Sequence, residues 1–278
     1  MSGLTEGIAA AIEYIEANLA GEIDANEAAK RACLSGFYFQ RVFHALCGMP
    51  VGEYVRSRRL TLAAQELSAH RGKVIDVAVK YGYDSPDSFA RAFTRFHGVS
   101  PSAAKEPGAR LNAVGRLKIK LILEGGKMLE YRIEEKAQFT VVGVSRRFNS
   151  ETSYEEIPKF WDEHMAGPMG QVVRGYYGVC LDMEMEGGDF DYLIADDYNP
   201  RMDLPEGCVT RVIPAATWAV FPCTLKALQD VNRRIFSEWL PANGAWRLAQ
   251  GISVEAYLHY DPDPEKLLCE IWIPVEKA

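Results

Sequence analysis

The sequence predicts a two-domain protein, with an all-α domain in the first hundred residues and an α+β domain after it. Three observations predict this architecture. The chain has 278 residues, roughly twice the usual size of one compact domain. Its apolar residues recur every three or four positions in the first part and every two in the second. Its charge divides at the same place, since residues 1–110 hold 13 Lys and Arg against 12 Asp and Glu, and residues 111–278 hold 18 against 26.

Composition and motif spacing exclude several classes of protein. Hydrophobic residues make up 48% of the chain and charged residues 25%, which is typical of a folded globular protein and excludes disordered, collagen-like and disulfide-scaffold classes. The six cysteines form no CxxC pair and the histidines lack zinc-ligand spacing, so we expect no metal and no cofactor. The start lacks a signal-peptide pattern, and no apolar run is long enough to span a bilayer. The sequence therefore predicts a cytoplasmic protein with no membrane partner.

The first hundred residues have the pattern of helices separated by glycines. From Ile8 to Leu19, apolar residues recur at three- and four-residue steps, which places them on one buried stripe of a helix that Gly21 ends. The predicted helices are Thr5–Leu19, Glu27–Cys33, Gly36–Leu46, Val51–Leu67, Val74–Tyr81 and Pro86–Phe96.

An internal repeat lies within these helices. Six residues recur at an offset of 50, namely Ala28, Ser35, Phe39, Arg41, Phe43 and Gly48, which return as Ala78, Ser85, Phe89, Arg91, Phe93 and Gly98. Each copy predicts a short helix, a tight turn, a capping serine and a second helix, which is a helix-turn-helix. The paired phenylalanines are expected to face the core. Arg41 and Arg91 lie about 200° around the helix from them and face outward, where a second helix meets base edges in the major groove.

A basic run lies in the long helix between the two copies. Arg56, Arg58 and Arg59 are expected to be exposed, where they could contact phosphate or remain solvated surface charges. With this helix as a rigid spacer, the second helices of the two copies, which we call the first and second reader, could enter successive major grooves about 34 Å apart.

These residues resemble a known family. The strings SGFYFQRVFHALCGMPVGEYVRSRRL and VIDVAVKYGYDSPDSFARAFTRFHGVSP resemble the DNA-binding domain of AraC/XylS-type transcription regulators. The resemblance implies a double helix-turn-helix domain over residues 1–107, with double-stranded DNA as its partner. By position it also implies two sets of base-contacting residues. They are Phe37, Gln40 and Arg41 in the first reader, and Ser85, Asp87, Ser88 and Arg91 in the second.

The second reader departs from the family pattern. Pro86 and Asp87 stand where relatives often have glutamine or small polar residues. Proline fits a first helical turn, but an aspartate is repelled by phosphate unless it accepts a hydrogen bond from cytosine. We therefore expect weaker or different base reading by the second helix, whereas Gln40 and Arg41 are chemically suited to A or G edges.

Beyond Pro107 the pattern changes to a linker and then to strands. Residues 108–127 are predicted to be a linker, within which a strand could begin at the alternating Leu117, Ile119, Leu121 and Leu123. Residues 128–278 predict an α+β domain of two β-α-β-β halves, with a central ligand cleft where the halves meet. Strands are predicted at 128–148, 172–181, 190–195, 209–222, 251–260 and 268–275, with helices at Tyr154–Met165 and Leu225–Leu240.

This second domain resembles the GyrI-like effector-binding domains, and the domain order resembles that of Rob-like regulators. The strings that carry the resemblance are MLEYRIEEKAQFTVVGVSRRF, IPKFW, YYGVC, AATWAVFPC, VEAYLHY and LLCEIWIPV, and they span residues 128–278.

Glu270 is the most informative polar residue of this domain. On a strand of period two it shares a face with Leu268 and Trp272, and a buried carboxylate is costly unless it is paired or used. It could be a surface residue or the partner of an arginine. The resemblance instead implies that a glutamate of this strand lies in an aromatic cleft that accepts amphipathic, often cationic ligands. Taken singly, each candidate aromatic residue fits a place in the core better than one in the cleft. The candidate ligand-binding residues are Glu270, Glu255, Tyr257, Trp161, Tyr177, Trp218, Phe221 and Trp272.

Together the two resemblances imply a DNA-binding transcription regulator whose second domain senses a small amphipathic molecule, with RNA polymerase as a further partner. The sequence has no Ser-His-Asp arrangement and no phosphate-binding loop, and we therefore do not expect an enzyme. Two alternatives stay open. The second domain could hydrolyse or sequester a reactive small molecule, with Glu270 as general base, or it could bind a partner protein.

Overall fold

The computed structural model describes residues 3–69, 72–118, 129–181, 189–201, 203–249, 251–259 and 261–278. It divides into two compact units. The first contains Gly3–Cys33 and Met49–Leu121, and the second contains Leu34–Gly48 and Ile122–Ala278. A short piece of the N-terminal region is therefore part of the second unit.

The N-terminal region is helical, as the periodicity predicts. Its helices are α1 (Gly3–Ala17), α2 (Ala25–Arg31), α3 (Gly36–Cys47), α4 (Val51–Ser68), α5 (Val74–Lys80) and α6 (Pro86–His97). Each end lies within two residues of its predicted position. Helix α3 is the one that belongs to the second unit.

The two copies of the repeat begin and end their second helices in the same way. Ser35 and Ser85 each accept a hydrogen bond from the backbone N–H three residues ahead, at 3.3 and 3.1 Å, which satisfies a free donor at the helix start. Helices α3 and α6 end at Gly48 and Gly98, whose φ angles of 72° and 77° are left-handed and suit a residue without a Cβ atom. The predicted core phenylalanines are fully buried, namely Phe39, Phe43, Phe89 and Phe93.

Two of the arginines that the sequence predicts as exposed join helix α4 to α1 and to the turn that follows it. Arg58 donates from Nε and Nη2 to the two carboxylate oxygens of Glu16, each at 2.8 Å, and both side chains are about nine-tenths buried. Arg59 donates to the carbonyl of Leu19 at 3.0 Å. The prediction that Arg58 and Arg59 form an exposed basic run is therefore wrong, because helix packing within the first unit uses their charge; Arg56 is exposed.

The segment 108–118 has no regular secondary structure and lies along α4. The backbone N–H of Val114 donates to the Thr61 hydroxyl at 3.0 Å, and that of Leu117 donates to the Tyr54 hydroxyl at 3.1 Å. Leu117 is thus not in a strand. The other positions of the predicted strand start, Ile119, Leu121 and Leu123, lie outside the described residues.

The second unit contains an antiparallel sheet that forms nine strands among the described residues. The strands are β1 (Arg132–Lys136), β2 (Phe139–Asn149), β3 (Tyr177–Leu181), β4 (Asp189–Asp197), β5 (Val209–Ile213), β6 (Ala216–Thr224), β7 (Trp246–Leu248), β8 (Ile252–Tyr257) and β9 (Leu268–Lys277). The predicted runs 128–148 and 209–222 each divide into two strands, so each half has two strands before its helix.

The two halves exchange their first strands. The order in the sheet is β1-β6-β9-β8-β3-β4-β2-β5, with β7 added beside β9. The early strand β1 therefore pairs with β6 of the second half, and β5 pairs with β2 of the first half. The halves meet where β3 pairs with β8, and this seam positions the candidate site.

The two faces of the sheet bury different residues. One face carries a core cluster that includes Val179, Leu193, Val254 and Trp272. The other face carries helix α7 (Ser153–Ala166), whose Phe160 packs on Phe148 of β2 with ring centroids 5.7 Å apart.

The predicted helix Leu225–Leu240 forms in pieces. A 3-10 turn at Leu225–Ala227 leads into helix α8 (Leu228–Arg234), a π-helical turn at Ile235–Trp239 and a last turn at Leu240–Ala242. Helix α3 packs against the π-helical turn, where the rings of Tyr38 and Phe236 lie 6.0 Å apart.

Within the described part of the chain, no helix has both the length and the apolar character needed to cross a membrane. The same residues contain no group of three or more His, Cys, Asp or Glu side chains placed to hold a metal ion.

Candidate functional site: an aromatic cavity around one carboxylate

A cavity of about 900 Å³ lies on the helix-bearing face of the sheet in the second unit. This volume is within the range of small-molecule sites. Its walls come from α7, from β3, β4 and β8, from the start of α8 and from α3. Among its ionisable lining residues, Asp162, Arg174, Lys226 and His259 are exposed, whereas Arg41 and Glu255 are partly buried.

Glu255 is held by a chain of hydrogen bonds from aromatic side chains. The hydroxyls of Tyr192 and Tyr257 both donate to its Oε2 atom, at 2.9 and 3.2 Å. The indole Nε1 of Trp161 donates to the Tyr192 hydroxyl at 2.9 Å. The four residues come from α7, β4 and β8, and they fix the carboxylate in one orientation at the cavity wall.

The environment of Glu255 changes its acidity. Burial raises the pKa of the carboxyl above its ordinary value, and this effect exceeds the lowering by the Tyr192 hydrogen bond, the Arg41 charge and the Tyr257 hydrogen bond. The hydrogen bonds and the nearby charge only partly replace the solvation that this carboxylate has lost. A cation that enters the cavity is therefore attracted to it more strongly than to an exposed carboxylate.

Helix α3 supplies one wall of the cavity through Phe37, Gln40 and Arg41. The guanidinium of Arg41 donates from Nη1 to the Ser253 hydroxyl at 2.9 Å. Its Cζ atom lies 5.1 Å from the ring centroid of Phe37 and 5.4 Å from that of Phe236, within the range of a cation–π interaction.

Of the predicted ligand-binding residues, the structure brings Trp161, Glu255 and Tyr257 together in this cavity. The others do not line it. Tyr177, Trp218 and Trp272 belong to the core on the opposite face of the sheet. Phe221 is buried against Tyr131 and Trp239, with ring centroids 5.8 and 5.0 Å away.

Glu270 also lies on the opposite face from the cavity. In the antiparallel register Ala256 is opposite Glu270, and Glu255 is opposite Ile271, so the two glutamates point to different sides of the sheet. Glu270 pairs with Nη1 of Arg132 at 2.8 Å and accepts from the Trp272 indole at 2.8 Å. The structure thus gives Glu270 an arginine partner, one of the alternatives that the sequence leaves open, and places Glu255 at the cavity.

The predicted DNA-reading residues have different surroundings in the two copies of the repeat. On α6, Asp87 and Arg91 are exposed, while Ser85 and Ser88 are partly buried and hydrogen-bond each other in the helix cap. In the first copy Phe37 is buried, and Gln40 and Arg41 line the cavity.

Sequence reasoning missed Tyr192 and Cys180, which also line the cavity. Strand β8 held a usable signal, because Ser253, Glu255 and Tyr257 alternate with apolar residues and so mark one polar face. On β9 both faces are apolar from Leu268 to Val275 apart from Glu270, and alternation alone does not show which face the cavity occupies.

Comparison with known proteins gives two family matches. Residues 129–276 match the GyrI-like small molecule binding domain, and residues 28–106 match a helix-turn-helix domain.

Curated relatives match about a third of the chain. Regulatory protein SoxS of Salmonella typhimurium is 36% identical over 91 residues, which are 33% of this chain and 85% of SoxS. The HTH-type transcriptional activator AarP of Providencia stuartii is 43% identical over 89 residues, which are 32% of this chain. The matched residues span 66% of AarP and 64% of the Tn10 TetD protein of Escherichia coli.

A solved structure of SAV2435 bound to tetraphenylphosphonium aligns with this chain at a TM-score of 0.47 and 21% identity. The alignment covers 53% of this chain and 94% of that chain.

Proposed function

The chain belongs to the GyrI-like small-molecule-binding family, and on that premise we propose that it is a DNA-binding transcription regulator whose cavity binds an amphipathic, cationic small molecule. The helix-turn-helix match over residues 28–106 supports the DNA-binding role. Contact with RNA polymerase and a cytoplasmic location stay predictions.

Glu255 carries the proposed ligand class. It is a partly buried carboxylate whose raised pKa reflects lost solvation, and it stands beside the rings of Trp161 and Tyr257, whose centroids lie 5.1 Å apart. Both the carboxylate and the ring faces stabilise a bound cation, and each ring that it contacts contributes roughly 0.5–2 kcal/mol to the binding free energy. The apolar part of the ligand has a cavity of about 900 Å³ to fill.

Binding is favoured over hydrolysis by the positions of the two glutamates. Glu270, the general base of the hydrolytic alternative, does not line the cavity and is paired with Arg132. A general base must reach the reacting water or substrate, and Glu270 has no access to a molecule in this cavity.

The ligand class is tested with two probes of one shape and opposite charge. Tetraphenylphosphonium and tetraphenylborate are titrated calorimetrically into the full-length protein. We expect the cation to bind and the anion to bind at least about tenfold more weakly, a difference of about 1.4 kcal/mol. Glu255→Gln should weaken the cation by a similar factor and leave the borate no weaker. Tighter binding of the anion, or an unchanged cation affinity in Glu255→Gln, contradicts the proposal.

Glu270→Gln is the matched control for that experiment. It removes a second carboxylate that is also shielded from solvent, at 8% exposure, but lies on the other face of the sheet. We expect it to lower stability through the lost pair with Arg132 and to leave the cation affinity unchanged.

The DNA-binding role is tested through Arg91, which is exposed on α6. A duplex is first selected from a random library with the full-length protein. Arg91→Ala should then weaken binding to that duplex by about 1–3 kcal/mol and relax its sequence preference if the side chain contacts a base. Arg147→Ala, an exposed arginine of β2 paired with Asp191, should leave binding unchanged. Equal affinity of the Arg91 variant and wild type would remove Arg91 from the reading set.

A further inference from the structure

The predicted base-reading side chains of α3 face the interior of the second unit. The ring of Phe37 lies 5.6 Å from that of Phe190, and Gln40 and Arg41 line the cavity. A base reader must reach the major groove with these side chains. In this arrangement α3 therefore cannot read DNA.

Residues found only in the first copy of the repeat hold α3 in this position against the rest of the second unit. The hydroxyl of Tyr38 donates to the carbonyl of Ile252 at 2.8 Å, and the His44 ring lies 4.6 Å from the Tyr154 ring. At the offset of 50, the positions of Phe37, Tyr38 and His44 become Asp87, Ser88 and Thr94 in α6. The second copy has none of these aromatic anchors.

Arg41 brings a positive charge to the wall of the cavity. Its guanidinium lies near the rings of Phe37 and Phe236 and donates to Ser253. Its positive charge lowers the pKa of Glu255 against the larger effect of burial. Aromatic faces and a carboxylate are the features by which the proposed site would recognise a cationic ligand, and Arg41 already lies beside aromatic rings and within electrostatic reach of that carboxylate.

We propose that the packing of α3 against the second unit is an autoinhibited arrangement in which Arg41 is the internal occupant of the effector cavity. A cationic effector replaces Arg41 and frees α3 to bind DNA. This inference rests on the proposed function of the cavity. It explains why a residue expected to read bases lines the cavity that also holds Glu255.

Charge repulsion supplies the coupling. A ligand cation beside Glu255 and the guanidinium of Arg41 would share one partly desolvated site, where like charges repel more strongly than in water. The effector therefore prefers the arrangement without Arg41, and a ligand shifts an equilibrium only through such a preference. Suppose that α3 is packed against the cavity in roughly nine-tenths of the molecules. Abolishing that packed state then raises the apparent affinity for the effector and for DNA by about tenfold each.

The test measures both ligands on the full-length protein. Tetraphenylphosphonium affinity is measured by calorimetry, and DNA affinity by fluorescence anisotropy on a duplex selected from a random library in the presence of that cation. Three variants are compared with wild type. Arg41→Ala removes the internal cation, Ser253→Ala removes only its hydrogen-bond acceptor, and Arg247→Ala removes an exposed arginine paired with Glu276 on β9.

We expect Arg41→Ala to bind the cation about tenfold more tightly than wild type. Ser253→Ala leaves every predicted DNA-reading residue in place and should gain roughly threefold to tenfold in affinity for both cation and DNA. In wild type, saturating cation should raise DNA affinity, and DNA should raise cation affinity by the same factor. Hydrogen exchange of the amides in 36–47 should accelerate when the cation is added. Arg247→Ala should match wild type throughout.

The outcomes separate this inference from the proposed function. If the cation binds wild type, Arg41→Ala and Ser253→Ala equally well, the effector site stands and the internal-occupant model is overturned. Cation binding that leaves the exchange of 36–47 and the DNA affinity unchanged overturns it as well. If the cation binds none of the proteins, the proposed ligand class itself fails and the inference falls with it.

Discussion

Gly178 leaves the room in which the Tyr192 and Glu255 side chains meet. It lies on β3 opposite Glu255 of β8. A Cβ atom at this position would lie 2.1 Å from the Tyr192 hydroxyl oxygen and 2.9 Å from Oε2 of Glu255. Both distances are shorter than atoms tolerate without a shift, and both neighbours are held in the hydrogen-bonded chain.

We expect Gly178→Ala to displace Tyr192 and Glu255, to destabilise the second unit by about 1–3 kcal/mol and to weaken tetraphenylphosphonium binding by about tenfold. Thermal unfolding and calorimetry measure the two effects. Gly244→Ala is the control, because a Cβ atom there meets nothing within 4 Å, and its stability should stay within about 0.5 kcal/mol of wild type. A Gly178→Ala protein with wild-type ligand affinity would show that the Tyr192–Glu255 geometry is not needed for binding.

The raised pKa of Glu255 gives ligand binding a definite pH dependence. A cation favours the ionised carboxylate, and burial raises the pKa at which that form is lost. Affinity should therefore be constant at high pH and fall by up to about tenfold per pH unit once the pH drops through the raised pKa. Calorimetric titrations of tetraphenylphosphonium from about pH 8 down to about pH 5 test this. The expected slope disappears in Glu255→Gln, and a slope that persists there assigns the titration to another group.

The raised pKa of Glu255 also makes folding stability depend on pH, in the opposite direction to ligand affinity. Because the carboxyl holds its proton more tightly in the folded protein, its contribution to folding is favourable at low pH and is lost as the pH rises through the raised pKa. Glu255→Gln should accordingly be more stable than wild type at neutral pH, and this advantage should disappear on acidification.

Single residues also show where the sequence could predict the site and where it could not. Glu270 was predicted as the main carboxylate of the site and Glu255 as a second one, and of the two only Glu255 lines the cavity. The alternation of each strand assigns its residues to two faces correctly, but which face meets the helices depends on contacts between distant segments. For Glu270, the salt bridge to Arg132 depends on the pairing of β1 with β6, which no local pattern encodes.

At the scale of elements, the link between α1 and α4 gives the first unit a buried charge pair. Glu16 accepts two hydrogen bonds from Arg58 and one from the Tyr54 hydroxyl, at 2.6 Å. Burial raises the pKa of Glu16, but the hydrogen bonds and charge of these partners lower it by more, so the net pKa lies below the ordinary value of 4.5. A carboxyl of this kind stabilises the fold in its ionised form.

Removal of that charge should destabilise the first unit strongly, because Arg58 stays buried with the carbonyl of Val114 but without an opposite charge. We expect Glu16→Gln to lower the free energy of unfolding by about 3 kcal/mol. The loss should shrink as the pH falls below about 4.5 through the lowered pKa of Glu16, because wild type is then protonated too. Glu27→Gln, which breaks the exposed pair with Arg31, should cost less than about 1 kcal/mol. Denaturant unfolding measures both losses. Equal losses of unfolding free energy in the two variants would contradict the buried-pair interpretation.

The helices could be predicted closely because their signals are local. Serine caps, terminal glycines and apolar spacing lie within each segment, and the observed helix ends in the N-terminal region are within two residues of the predicted ones. The grouping of α3 with the second unit could not be predicted in this way. Tyr38 bonds to Ile252, 214 positions along the chain, and the repeat by itself suggests the same surroundings for both copies.

At the scale of the whole molecule, the formal charge of −7 combines two unlike regions. Residues 1–110 have a net charge of +1, from 13 basic and 12 acidic residues, and residues 111–278 have −8, from 18 and 26. Within the first region Arg58 and Arg59 are used in helix packing. The region thus has almost no surplus of positive charge for phosphate contacts, and DNA affinity should depend on a small set of specific contacts.

This balance predicts a shallow salt dependence. We expect the logarithm of DNA affinity to fall with the logarithm of salt concentration with a slope smaller in magnitude than about 5, which corresponds to fewer than about six neutralised phosphates. Anisotropy titrations of a selected duplex between roughly 50 and 200 mM salt measure it. A steeper slope would show that basic side chains beyond the predicted readers contact the backbone.

The exchange of first strands between the two halves has a consequence for how the second unit can be divided. A fragment that ends after β4 would keep β1 without its partner β6 and would leave the edge of β2 without β5. Neither half can close its own hydrogen-bond ladder, so separately expressed halves are expected to need one another in order to fold. Two copies of a single half could satisfy both edges only by donating first strands to each other, which is the pairing of a strand-swapped dimer. In this chain the same exchange takes place within one polypeptide.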